Sequence, residues 1–175
     1  ARGQLRASER HFEDAQVAED PVARADFQAW NELVVRQQRV SAVRMLESAL
    51  AAAGDIDTVD GGGDRAFFYA LAGDAEQARR WRDADRRADE TYSSQPAPVR
   101  AALDAWFEGY VAYGEGRFTD AVSSLTQAEQ EFDSFFASLG ARQLSWDLAR
   151  AFDQAGMADS AVARYEMSLD YGDAF

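Results

Sequence analysis

A small residue returns along this chain every 34 to 43 positions, each time inside a helical pattern. In four of five cases it stands five residues after a glycine: GQLRAS (Gly3, Ser8), GDAEQA (Gly73, Ala78), GRFTDA (Gly116, Ala121) and GMADSA (Gly156, Ala161). The fifth, QRVSA, ends at Ala42 and lacks the glycine. Four positions further on stand Phe12, Leu46, Leu125 and Tyr165, or Arg82 with Trp81 beside it. The recurrence has a physical logic. A glycine ends one helix and lets the chain turn sharply. The small residue then lets the next helix approach its neighbour, and the large one fills the space one turn on. A pair of helices this short cannot bury its apolar face alone, so pairs must stack.

Strand signals are nearly absent, and β-branched pairs such as Val34-Val35 sit inside helical patterns. Pro21 and Pro98 suit the first turn of a helix, where a missing N–H is tolerated, and Pro96 lies in the linker SSQPAP. The expected fold is therefore all-α, with about nine or ten helices in antiparallel pairs.

The closing stretch LSWDLARAFDQAGMADSAVARYEMSL resembles the tetratricopeptide repeat family, with Leu148, Ala149, Phe152, Gly156, Ala161 and Tyr165 at that family's packing positions. AWFEGYVAYGEGRFTDAVSSLTQA is similar at Gly109, Ala112, Gly116, Ala121, Leu125 and Ala128, and departs at Glu108, where the family prefers leucine. The matches are weaker in ADFQAWNELVV and in the short GDRAFFYALAG. The resemblance implies one domain over residues 1–175, a short right-handed solenoid with units at about 1–20 (partial), 21–54, 55–95, 97–139 and 140–172. It also implies a non-catalytic scaffold that binds a partner protein or peptide in a concave groove lined by the first helix of each pair. Carried over unit by unit, the groove positions are Phe27 and Asn31, then Phe67, then Trp106, Tyr110 and Tyr113, and finally Trp146, Arg150 and Gln154. Leu103, Trp106, Tyr110 and Tyr113 form one stripe at helical spacing, which reads equally as core or as groove. Ala105, Gly109 and Ala112 make a separate small-residue face suited to tight helix packing.

Charge narrows the partners. The formal net charge is −13, which opposes phosphate backbones and anionic membrane surfaces and favours basic segments of other proteins. No apolar run approaches the roughly 20 residues needed to cross a bilayer. Cysteine is absent, as is lysine, so thiolate, zinc-thiolate and Schiff-base chemistry have no residues to use.

GDIDTVDGGGDR, Gly54 to Arg65, carries four aspartates, but its acids and glycine do not fall at the positions a helix–loop–helix calcium loop requires. It is expected to be a connector, with Gly54 ending one helix and Asp64 capping the next. His11 is the sole histidine, so neither a triad nor a two-histidine metal site is available. Neither a metal nor a cofactor is expected. General acid–base work needs a carboxylate in an apolar pocket, and the sequence marks none. Pairs such as Asp83 with Asp85 and Glu129 with Glu131 are expected on solvated faces, with Glu76–Arg80 and Asp83–Arg87 paired along one helix.

The chain begins inside a unit, since the first helix that should precede Gly3 is missing, and it ends soon after a second helix. It is therefore expected to belong to a longer protein or a larger assembly. The alternative reading is a structural subunit or sensory tail of a bacterial multidomain signalling protein.

Overall fold

The computed structural model describes residues 21–53, 62–88, 94–132 and 139–170. Every regular element among them is helical, with no strand. Gly3, Ser8, His11, Phe12 and most of the Asp/Gly stretch lie outside the described residues. Chain contacts divide the molecule into two units, residues 1–60 and 61–175. No helix among the described residues is long and apolar enough to cross a membrane.

In the first unit, α1 (Pro21–Trp30) runs on through a π-helical turn, Asn31–Val35, and α2 spans Arg39–Ala53. Pro21 opens α1, as its missing N–H allows. Val22, Ala25, Ala29 and Leu33 make the buried stripe of the first arm, and Ala42, Leu46 and Leu50 that of the second. The three- and four-residue spacings put each set on one helix face. An Arg36–Glu32 ion pair of 2.6 Å closes the π turn on the outside.

The second unit contains α3 (Gly62–Ala72), α4 (Ala75–Ala88), α5 (Ala97–Gly114), α6 (Phe118–Phe132), α7 (Leu139–Gln154) and α8 (Ala158–Asp170). They form three helical hairpins, α3–α4, α5–α6 and α7–α8. The hairpins adjoin one another through α3 against α5 and α6 against α7. Eight α-helices thus lie among the described residues. Asp64 falls inside the first turn of α3, because the helix already begins at the glycine pair Gly62–Gly63; the expected cap at Asp64 is corrected accordingly.

The recurrent glycines have one backbone task. Gly73, Gly116 and Gly156 take φ of 85°, 78° and 76°. At Gly116 the glycine N–H donates to Tyr113 O (3.1 Å) and the next N–H, Arg117, donates back to Ala112 O (2.8 Å). The same pair of bonds recurs at Gly73 and Gly156. This turn satisfies carbonyls that a helix end otherwise orphans. Gln37 at φ 56° holds the equivalent place before Ala42, which is why the glycine-free QRVSA stretch still turns. The small residues five positions on, Ala42, Ala78, Ala121 and Ala161, are all buried. A Cβ at Gly116 would meet nothing within 4 Å, so the demand there is purely conformational. Gly116→Ala is accordingly expected to lower unfolding stability by about 1–2 kcal/mol, the strain of a left-handed non-glycine residue. Chemical denaturation measures it, and an unchanged midpoint would mean that the turn does not need the left-handed conformation.

The charges of α4 sort differently from the sequence expectation. Glu76–Arg80 and Asp83–Arg87 do not pair, because their side chains project into solvent. The arginines on the adjoining face reach α5 instead. Arg79 meets Glu108 at 3.4 Å, and Arg82 and Arg86 converge on Asp104. Arg82 is buried, with its guanidinium over the rings of Phe107 and Phe67 at 5.4 and 6.0 Å. Burying the arginine stem with apolar rings while its head finds a carboxylate resolves the clash between burial and charge.

Candidate functional site

The structure holds a buried carboxylate that the sequence did not announce. Asp147 is 5 % exposed on α7, in the register of the buried Leu144, Leu148 and Ala151. That helix is covered on several sides: Ser145 and Ala149 are buried as well, and among residues 143–154 only Gln143, Trp146, Asp153 and Gln154 are exposed. The expectation that the acids all lie on solvated faces is therefore corrected at Asp147. An acid at the i+3 place of the apolar stripe 144–148–151 was the available signal.

A buried carboxylate persists only when its oxygens are hydrogen-bonded. Here α5 supplies two donors. The Tyr110 hydroxyl donates to Asp147 Oδ2 at 2.7 Å and the Trp106 indole Nε1–H donates to the same oxygen at 3.0 Å. From within α7, Gln143 Nε2 donates to Oδ1 at 3.2 Å. The three donors are neutral. Burial therefore prevails and pushes the Asp147 carboxyl up to about 6, against the hydrogen bonds of Tyr110 and Trp106, the charge of Arg150 and the Gln143 bond, which all pull it down. Tyr110 is driven well above its ordinary range, first by burial and then by the charge of Asp147 and the bond to it.

Aromatic rings extend the cluster. Phe67 of α3 packs on Tyr110 at 4.9 Å, Trp106 at 5.7 Å and Phe107 at 5.9 Å, near edge-on in the first and last pairs. Such tilted and edge geometries suit the ring quadrupoles. Further along α5, the half-buried Tyr113 has the Arg150 guanidinium 5.0 Å from its ring centre. Leu71, Tyr110, Tyr113, Leu125, Asp147 and Arg150 enclose a narrow, partly open pocket.

The nine expected groove residues thus separate. Phe67, Trp106 and Tyr110 make one ring cluster, and Tyr110, Tyr113 and Arg150 share the pocket. The α5 stripe, which reads as core or groove, divides between the two. Tyr110 is buried, whereas Leu103, Trp106 and Tyr113 are half-buried. Trp146 is 43 % exposed and packs edgewise on Tyr165 of α8 at 5.2 Å. Gln154 is exposed near the end of α7. Phe27 and Asn31 belong to the first unit, Phe27 half-buried on α1 and Asn31 opening the π turn. Among the described residues no group of three acidic, histidine or cysteine side chains is placed to hold a metal ion.

Comparison with family models, with curated proteins and with solved structures returns no match to this chain.

Proposed function

We propose that the second unit is a non-catalytic interaction scaffold whose three hairpins stack as a short tetratricopeptide-like solenoid, and that it binds a protein or peptide partner along the first helices of its hairpins. The observation that carries this reading is the shared pocket: Tyr110 and Tyr113 from α5 and Asp147 and Arg150 from α7 converge on it. Leu71, from α3, joins them, so the first helices of three successive hairpins line one opening. Tyrosine, tryptophan and arginine are the side chains from which binding hot spots are built. The acidity of the chain favours a basic segment as the occupant.

The test is a selection of binding peptides from a random displayed library, repeated on Trp146→Ala. Trp146 is the exposed aromatic of α7, so its removal leaves the buried network in place. Enriched peptides are expected to be basic and to lose about thirtyfold in affinity on the variant, the loss of one exposed aromatic anchor on the same helix as Asp147 and Arg150. Unchanged affinity with an intact helical spectrum would place binding elsewhere.

A further inference from the structure

We infer that the pocket between α5 and α7 receives an arginine side chain of the basic partner, and that Arg150 of the chain itself holds that position until the partner's guanidinium replaces it. The inference rests on the groove reading above and specifies its central contact.

The pocket contains the parts a guanidinium needs. Its floor includes Asp147, a buried carboxylate that makes three hydrogen bonds with neutral donors and no ion pair among the described residues. Its Oδ1 is engaged by Gln143 alone, so acceptor capacity remains on that oxygen. The walls carry the rings of Tyr110 and Tyr113 and the apolar Leu71 and Leu125. A cation entering there would gain both a ring face and a charge-assisted bond.

The chain already shows half of this chemistry. Arg150 lies over the Tyr113 ring at 5.0 Å. It makes no hydrogen bond or ion pair with a described residue, so the ring contact and the field of Asp147 are what hold it. A half-buried guanidinium held by one ring face leaves its donors to solvent, so it can be exchanged without breaking an ion pair. It lines the pocket without a hydrogen bond to the carboxylate. The remaining space is narrow, so an incoming side chain must exchange with Arg150 rather than join it. The titratable and charged groups facing Asp147 are Tyr110 on α5 and Arg150 on α7, while α3 and α6 contribute Leu71 and Leu125 to the same pocket. Burial raises the Asp147 carboxyl to about 6, so at neutral pH it is mostly charged and gains from a cation.

The experiment titrates N-acetyl-arginine-amide into the protein at pH 7.5 and follows the indole N–H resonance of Trp106, which donates to Asp147. N-acetyl-citrulline-amide serves as the neutral probe of the same shape, and sodium chloride as the ionic-strength control. The arginine probe is expected to shift the Trp106 signal saturably in the wild type. It should bind about tenfold more tightly in Arg150→Met, which vacates the ring face, the order that a partly desolvated cation–π contact supplies. The citrulline probe, and the arginine probe on Asp147→Asn, should leave the signal in place. No saturable shift in either wild type or Arg150→Met overturns the inference, as does an equal response to citrulline or to salt. The wild-type titration decides even if a variant fails to fold. No partner is needed for it, so failure here removes the arginine pocket, and the peptide selection with Trp146→Ala separately decides the groove.

Discussion

Asp147→Asn is expected to gain stability over the wild type as pH rises, by about 3 kcal/mol between pH 3 and pH 7. Asp147 has its carboxyl raised from 3.8 to about 6 by burial. Between those two values the folded protein binds a proton that the unfolded chain has released. Stability therefore falls as pH increases through this window, and the penalty is complete above about pH 6. The interval is about two pKa units at 1.36 kcal/mol each, which gives the figure of about 3 kcal/mol. Every other carboxylate is common to the two proteins, so the difference between them is what isolates Asp147. An asparagine at 147 can still accept from Trp106 and Tyr110 through its one oxygen, while its amide donates to Gln143 once the exposed Gln143 amide turns to present Oε1. Urea denaturation of both proteins at half-unit pH steps provides the measurement. Parallel profiles would mean that Asp147 is solvated, and both the pocket chemistry and the buried network would fail with it.

Gly114→Ala is expected to destabilise the second unit by about 3 kcal/mol or more, or to prevent its folding. Gly114 sits in the last turn of α5, against the end of α3. A Cβ there would stand 1.8 Å from the carbonyl oxygen of Ala70 and 3.0 Å from the backbone nitrogen of Gly73. Both are main-chain atoms, so no side-chain rotation relieves the contact and the two helices must separate. The same Ala70 oxygen accepts from Gly73 N–H at 3.0 Å, so separation also disturbs the turn from α3 to α4. In an isolated helix the substitution would instead stabilise, by about 1 kcal/mol. A neutral or stabilising result in thermal denaturation would therefore refute the close approach of α3 and α5. Gly109→Ala is the milder comparison, because its Cβ would meet the Leu125 side chain at 2.7 Å, and a side chain can give way.

How much of this was legible beforehand follows from the range over which each cause acts. The helical period, the turns at Gly73, Gly116 and Gly156, and the small buried residues at 42, 78, 121 and 161 were all readable. Each depends on residues within a few positions of one another, where steric rules and periodicity act directly. The turn at Gln37 was not legible because asparagine and glycine favour left-handed backbone and glutamine does not. Gly114 was not separated from its neighbours in GYVAYGEG, since its need comes from a backbone more than 40 residues earlier in the chain.

The candidate site divides along the same line. That Trp106, Tyr110 and Tyr113 share a stripe follows from helical spacing, and the expectation that Trp146 and Arg150 stand on the equivalent helix of the next unit came from the repeat resemblance. Which of them is buried does not. A helix with apolar residues on two faces has no single inward side until its neighbours are in place, and packing alone sets Tyr110 inside and leaves Trp146 half-open. Asp147 is the sharpest case. Its neighbours in sequence mark it as lying in an apolar register, which by itself would only make an acid there unfavourable. What makes it tolerable, and gives it a shifted proton affinity, is a hydroxyl and an indole N–H delivered from 37 and 41 residues away. Sequence determines helices and turns because those are local equilibria; the environment of a buried charge belongs to the tertiary structure, because it is the sum of fields from groups that only folding brings together.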